Sequence, residues 1–598
     1  SARQMRSVFD GDTVLVTVTG VDRRGRAEGM VVEVLERGVS QVVGRYQEES
    51  GIGVVIPDNA RLTQDVLIPP KARGGARSGQ IVSAEITDYP SGRLGAKGRI
   101  IEVLGDHLDP GLEIDVAIRA HGIPWEWPEA AQREAGQLRE EVAEADKQAR
   151  IDLRDLPFVT IDGEDAKDFD DAVYCRKKRT GGWRLWVAIA DVSHYVHPDS
   201  GLDREASRRG NSVYFPGRVV PMLPEVLSNG LCSLNPGVDR LALVAELDLT
   251  RDGSLKKFVF FEAVIHSHAR LTYTQVGRVL EHGSDPEVPR EREPDLKRLH
   301  ELYRVLRAAR TARGAIDFET VETRIVFNEQ RKIEEIVPVQ RNDAHKLIEE
   351  CMLCANVATA AFFEKLGLPT LYRVHEGPSE ERLENLRAFL GELGLGLRGG
   401  KEPTPRDYQA LLEEIAERPD ANVIQTMLLR SLRQAVYQPE NKGHFGLNYE
   451  GYAHFTSPIR RYPDLLVHRG IRCVLRSKMR TRLVRRADGA RRLDPARSYP
   501  YDEAAIAALG EHCSTTERRA DDATRDVDAW LKCEYLQDHV GETFAGVVSA
   551  VTSFGLFVQL ADLYIEGLVH VTALPGDYYR FDPAHARLVG ERSGRTFQ

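Results

Sequence analysis

Five aspartates crowd into the stretch Thr160-Ile-Asp-Gly-Glu-Asp-Ala-Lys-Asp-Phe-Asp-Asp-Ala172: Asp162, Asp165, Asp168, Asp170 and Asp171. Aspartate favours neither helix nor strand, so backbone propensity does not account for the cluster. Two carboxylates 4 Å apart repel by about 4 kcal/mol at an effective dielectric near 20. The apolar neighbours, FVTI before and AVY after, sharpen that repulsion. It is relieved by raised pKa values or by a hard divalent cation that takes oxygen ligands. In an extended segment Asp168 and Asp170 share one face and Asp171 takes the other; a bend lets all three converge with Asp162. The EF-hand pattern is absent, with no glycine at its sixth position and no glutamate at its twelfth. Mg²⁺ takes few carboxylates and completes its shell with water and substrate phosphate, as in metal-assisted phosphodiester hydrolysis. On spacing alone, a solvated acidic loop and a structural calcium site stay open.

A second constellation supplies cations. Tyr452-Ala-His-Phe-Thr-Ser-Pro-Ile-Arg-Arg-Tyr-Pro-Asp464 sets Arg460 and Arg461 after a Ser-Pro turn. The planar guanidinium fork suits phosphate oxygens, and ordinary salt bridges are the alternative. Tyr214 in NSVYFPG, Tyr273 in LTY and Phe318 in IDF could each face a base or a ribose; taken singly, each fits core packing equally well. Segment 471–497 is strongly basic and is expected to be a solvated loop, with RNA contact as the sharper reading.

These residues need a scaffold, and the chain reads as a series of modules. Residues 1–38 carry two strands around the basic turn DRRGR and read as the tail of a small barrel that begins outside this sequence. Residues 39–105 hold short strands bounded by Gly, Pro and Asp, which predicts a five-stranded OB-type barrel. Residues 106–154 form a linker whose Ala-rich, charged part, with Pro128 in its first turn, predicts a solvated helix. Residues 155–538 mix strand and helix signals as a large α/β domain and close on a helical run over 502–538. Residues 541–598 return to a strand meander and are expected to form an incomplete OB-like barrel. The fold class is therefore multidomain α+β, with OB-type barrels flanking a large mixed α/β domain.

Composition agrees. Apolar residues are 42% and charged residues 29%, which excludes collagen-like and wholly disordered chains. No apolar run nears the roughly 18 residues of a spanning helix, so no membrane role is expected. The opening SARQMRSVFD has no apolar h-region or cleavage site, which points away from secretion. Seven scattered cysteines make no disulfide framework. Cys351 and Cys354 lack partners for a zinc site and read as buried thiols. A reducing cytoplasm fits. The net charge of −10 argues against a uniformly basic surface but not against a basic channel in an acidic shell.

Five strings together carry a resemblance: TIDGEDAKDFDDA, VAIADVSHYV, GNSVYFPGRVVPMLPEVLSNGLCSLNP, NDAHKLIEECMLCAN and HFTSPIRRYPDLLVHR. The chain resembles, from end to end, the ribonuclease II/ribonuclease R family of 3′→5′ exoribonucleases, and its DGEDAKDFDDA and SPIRRYPDL versions are closer to the ribonuclease R branch. The resemblance implies two cold-shock barrels, an RNB catalytic domain and an S1 barrel. It implies processive hydrolysis of single-stranded RNA from a free 3′ end to nucleoside 5′-monophosphates, in RNA decay and quality control. Structured RNA with a 3′ overhang is left open as a further substrate. Carried over by motif, Asp162 and Asp171 ligate Mg²⁺, while Asp168 and Asp170 hold a second ion or the attacking water; Mn²⁺ is left open as a substitute. Arg460 steadies the scissile phosphate, with Arg461 beside it. Tyr214 and Phe318 clamp the last bases. Tyr273 and Glu350, with Glu349 as its alternative, read the 2′-OH. Phe554, Phe557 and His570 fit a stacking platform in the S1-like segment. In the second barrel, Gly51-Ile52-Gly53-Val54 stands where cold-shock proteins carry aromatics, so base stacking is not expected there. Family members act as monomers. An RNA-capturing descendant without catalysis and a metal-dependent endonuclease are the competing readings.

Overall fold

In a computed structural model the described residues are all of the chain except 1–6, 22–26, 50, 60, 63, 92–93, 107–108, 319–321, 419, 562, 583–586 and 598. The basic turn DRRGR therefore lies outside them. On either side of it, Thr13–Val21 pairs antiparallel with Ala27–Glu36. Leu15, Val18, Val32 and Leu35 of this hairpin stand exposed.

The second module closes. Strands Gln41–Glu49, Ile52–Pro57, Val66–Ile68, Ile81–Asp88 and Lys97–Gly105 form a five-stranded barrel around Val42, Tyr46, Val55 and Val82. Gly53 has a structural reason: a Cβ there would meet the Tyr46 ring at 2.7 Å. The tyrosine thus fills the barrel from inside, and glycine leaves it room.

The linker is more than a solvated helix. Helix Leu112–Ala120 buries Ile114, Ala117 and Ile118 against Ala523 and Val527 of the 35-residue helix Glu503–Gln537, while Leu112 and Val116 pack under Val43 and Ile81 of the barrel. The charged stretch that follows makes two short helices, Glu129–Ala135 and Glu144–Gln148. Pro128 sits at the N-cap, one position before the first turn, with φ −61°. Ala131 is fully buried. Glu134 accepts from the backbone N–H groups of Gly201 and Leu202, capping the next helix. The polar composition hid a docked face.

The large α/β domain is built on a seven-stranded sheet. Its order is Ala269–Thr272, Val159–Asp162, Asp171–Lys177, Trp183–Ala190, Asp239–Leu249, Leu255–His266 and Ile151–Asp152. The inner pairs are antiparallel; the two outermost pairs are parallel. Both faces are covered. Along Trp183–Ala190, Leu185, Val187 and Ile189 enter one core with helix Asp343–Leu366, while Trp186, Ala188 and Ala190 enter the other. Period-two alternation therefore reads apolar throughout.

The basic segment 471–497 is only partly solvated. Arg472 and Arg476 are buried and donate to Glu262, which belongs to the sheet. Arg150 of the linker binds Asp191 in the same network at 2.5 Å. Arg485 forks onto Glu246 at 3.0 and 3.1 Å, and the Val484 stretch pairs with Phe260 as an added edge. Arg486 donates to the Val474 and Leu475 carbonyls at a helix end. Buried sheet carboxylates need cations, and this segment supplies them. Lys478, Arg480, Arg482, Arg491, Arg492 and Arg497 remain exposed.

At the C-terminal end, Gly546–Thr552, Gly555–Leu560 and Glu566–His570 form one three-stranded sheet, and Tyr579–Asp582, Arg587–Gly590 and Thr596–Phe597 form another. Among the described residues the two sheets do not join into a closed barrel.

Candidate active site

The acidic stretch is a bend between two sheet strands. Asp162 ends Val159–Asp162 and Asp171 begins Asp171–Lys177. The loop between them is clipped from both sides. Arg270 donates to the Glu164 and Ala166 carbonyls at 2.7 and 3.2 Å. Ser233, from the LCSLNP string, accepts from the Phe169 N–H and donates to the Lys167 carbonyl at 3.0 and 2.8 Å. The aspartates are thus fixed by neighbours rather than by local propensity.

Four of them, Asp162, Asp168, Asp170 and Asp171, line a cavity of about 1100 Å³ together with Tyr214 and Arg460. Asp165 lines it too. Asp170 Oδ1 accepts the Ile459 N–H at 2.9 Å, and Oδ2 lies 3.5 Å from Arg460 Nε. Tyr214, on the hairpin Val213–Phe215/Arg218–Val220, donates its hydroxyl to Asp168 Oδ2 at 2.7 Å. Burial pushes the Asp162 and Asp170 carboxyls up, against the pull of Arg460. Burial and the Asp162 charge push Asp171 up to about 7.

Arg461 points otherwise. Its fork closes on Asp464 at 2.8 and 2.9 Å, and Asp464 also accepts the Ser457 N–H at 2.8 Å. That ring of bonds shapes the turn which aims Arg460.

The remaining sequence candidates are not among the residues that line this cavity. Tyr273 opens helix Tyr273–His282 and stacks on His345, ring centroids 3.9 Å apart. Burial, then the charges of Asp162 and Asp171, push its phenol up. Glu350 is buried on helix Asp343–Leu366, where Arg310 donates to its Oε1 at 3.2 Å. Glu349, a third exposed, bonds Arg310 and Arg341. Phe318 is half-buried against the helical cluster of Leu383, Leu386 and Tyr408. Far along the chain, Phe554 and Phe557 meet edge to face with centroids 6.1 Å apart; His570 is exposed and bonds Thr572. Sequence reasoning missed Arg270, Ser233 and Asp464, which hold the site together without a chemical signature of their own.

The donor set fits a hard cation. Asp170 Oδ2 and Asp171 Oδ2 are buried with no hydrogen-bond partner, a costly state that an ion or a bound ligand would relieve. Among the described residues no group of three His, Cys, Asp or Glu stands ready to hold an ion unaided. Water and substrate phosphate would have to complete its shell.

The RNB domain matches residues 150–477, the cold shock domain 55–128, the ribonuclease B OB domain 1–34 and the S1 RNA binding domain 537–593. Ribonuclease R of Vibrio cholerae is 57% identical over 601 residues, covering all of this chain and 72% of the relative. The chain belongs to the ribonuclease R family. Ribonuclease R of Escherichia coli is 54% identical, again over the whole chain and 73% of the relative. The solved structure of Mycoplasma genitalium RNase R with ribose-methylated single-stranded RNA superposes with a TM-score of 0.91 at 29% identity, covering 100% of this chain and 92% of that one. The activity is that of a 3′→5′ exoribonuclease, and RNA is the substrate. RNB nucleases are metal-dependent. Among the described residues no helix is long and apolar enough to cross a membrane.

Proposed function

We propose that the chain degrades single-stranded RNA processively from a free 3′ end to nucleoside 5′-monophosphates, with Mg²⁺ as the ion. Asp162 and Asp171 would hold Mg²⁺, with Asp168 and Asp170 serving a second ion or the attacking water. Bound there, a divalent cation would polarise the phosphate and lower the pKa of a bound water. The observation that carries this reading is the pair of buried oxygens without a hydrogen bond on Asp170 and Asp171 beside Arg460. Arg460, 45% exposed at its side chain, meets the scissile phosphate and stabilises charge as it builds. The Ile459 N–H holds Asp170 in place, and the Tyr214 hydroxyl holds Asp168.

Tyr214 and Phe318 clamp the terminal bases, since an aromatic face accepts any base. Tyr273 and Glu350 read the ribose 2′-OH. Arg461 serves the Asp464 turn in place of RNA. Phe554, Phe557 and His570 form the entry platform. Seven unpaired thiols support a reducing cytoplasm, and the protein acts as a monomer.

The test is 5′-labelled linear RNA beside circular RNA of the same sequence, in Mg²⁺ or EDTA. A descending ladder from the linear strand in Mg²⁺, none in EDTA and an intact circle are expected. Retarded but uncut RNA would mean a binder; a cut circle would mean an endonuclease.

A further inference from the structure

One buried guanidinium gathers three carboxylates behind the proposed ribose site. Arg310 lies on helix Glu293–Arg313 and is 7% exposed. Its Nη1 donates to Glu349 Oε1 at 2.9 Å and to Glu350 Oε1 at 3.2 Å. Its Nη2 reaches Asp317 Oδ1 at 3.5 Å, and Arg307 binds the other oxygen of Asp317. Asp317 immediately precedes Phe318. Arg341 takes the second oxygen of Glu349 at 2.7 Å, so Glu349 is committed to two arginines. Glu350 Oε2 has no part in the bond to Arg310.

We propose that Arg310 is a positioning residue for RNA selectivity: it holds Glu350 by Oε1 so that Oε2 meets the terminal ribose 2′-OH, and through Asp317 it fixes the Phe318 clamp to the same anchor. This rests on Glu350 as the ribose reader. The physical grounds are two. Adjacent carboxylates at 349 and 350, the second of them buried, would repel and splay without a shared cation. A planar fork sets direction as well as charge, which an ammonium does not. A site aimed at a hydroxyl rejects the analogue lacking it strongly, but only while the acceptor stays aimed. Arg310 touches no substrate in this scheme.

The experiment compares single-turnover rates on a 5′-labelled RNA and on the same strand with 2′-deoxynucleotides at its 3′ end, for wild type, Glu350→Gln, Arg310→Met, Arg310→Lys and Arg310→Met/Glu350→Gln. The readout is the ribose-to-deoxyribose rate ratio, with melting temperature measured alongside. Both Glu350→Gln and Arg310→Met are expected to lower the ratio by about tenfold or more, and the double variant to lower it no further than Glu350→Gln alone. Arg310→Lys, which keeps the charge and so guards against misfolding of Arg310→Met, is expected to lower it as well. A wild-type ratio in Glu350→Gln would defeat the ribose-reader assignment itself. A lowered ratio in Glu350→Gln with a wild-type ratio in folded Arg310→Lys or Arg310→Met, whatever the overall rate, would overturn the role of Arg310.

Discussion

Asp170→Asn separates chemistry from binding most cleanly. The asparagine keeps one oxygen for the Ile459 N–H, now 2.9 Å from Asp170, so the turn before Arg460 stays in place. The other position becomes an NH₂ group facing a guanidinium whose Nε lies 3.5 Å from the present oxygen. Two donors then meet, and a buried oxygen that makes no hydrogen bond is gone. The reaction loses an anionic acceptor at its centre, and a rate loss on the order of 10³-fold or more is expected, about 4 kcal/mol of barrier. Binding follows different terms. Arg460, Tyr214 and the outer aromatic surfaces are unchanged, and one negative charge near the incoming phosphate is removed. Since two like charges at 4 Å repel by about 4 kcal/mol even at a dielectric of 20, affinity should hold or rise, and any change should stay within about tenfold, 1.4 kcal/mol. Single-turnover decay of 5′-labelled RNA in Mg²⁺ measures the first quantity, and fluorescence anisotropy of the same RNA in EDTA measures the second. Parallel losses in rate and affinity would refute the reasoning, because they would make Asp170 a folding or channel residue.

Three further outcomes are expected. Tyr214→Ala lengthens the limit product on a sequencing gel, since it removes a stacking face worth about 1–3 kcal/mol per base; Tyr214→Phe keeps the wild-type end product. Arg460→Lys is severely slowed in single-turnover rate although its charge survives, because an ammonium cannot reproduce the fork. Burial, with His375 and Arg373 nearby, holds His444 down to about 3, so the fold favours the neutral ring. The resulting stability is fully present above the unfolded value near 6.5 and is lost as pH falls through about 3. His444→Asn keeps an acceptor for the Leu447 N–H and should flatten the fall of melting temperature over that range.

Much of this site was legible because its chemistry is local in sequence. The aspartates lie within one bend, and their mutual repulsion demands an explanation that few folds supply. The second barrel was legible from alternation and turn residues for the same reason. What stayed hidden depends on partners far away. Nothing in 471–497 tells that Glu262 and Glu246, over 200 positions earlier, wait for Arg472, Arg476 and Arg485. Arg460 and Arg461 are identical in type and adjacent, yet Asp464, buried under the turn, takes the fork of Arg461 while Arg460 faces Asp170. The charged linker concealed Ala131 and the docking of Glu134, since a helix of seven residues is too short for its buried stripe to declare itself.

The bond between the Ile459 N–H and Asp170 spans 289 positions. At synthesis rates of roughly 5–20 residues per second, a ribosome needs some 15–60 s to travel between them. Throughout that interval the emerging polypeptide displays its acids without the arginine that completes them. A nascent chain released or stalled before Ile459 therefore carries the acidic bend without the backbone N–H that holds Asp170 in place.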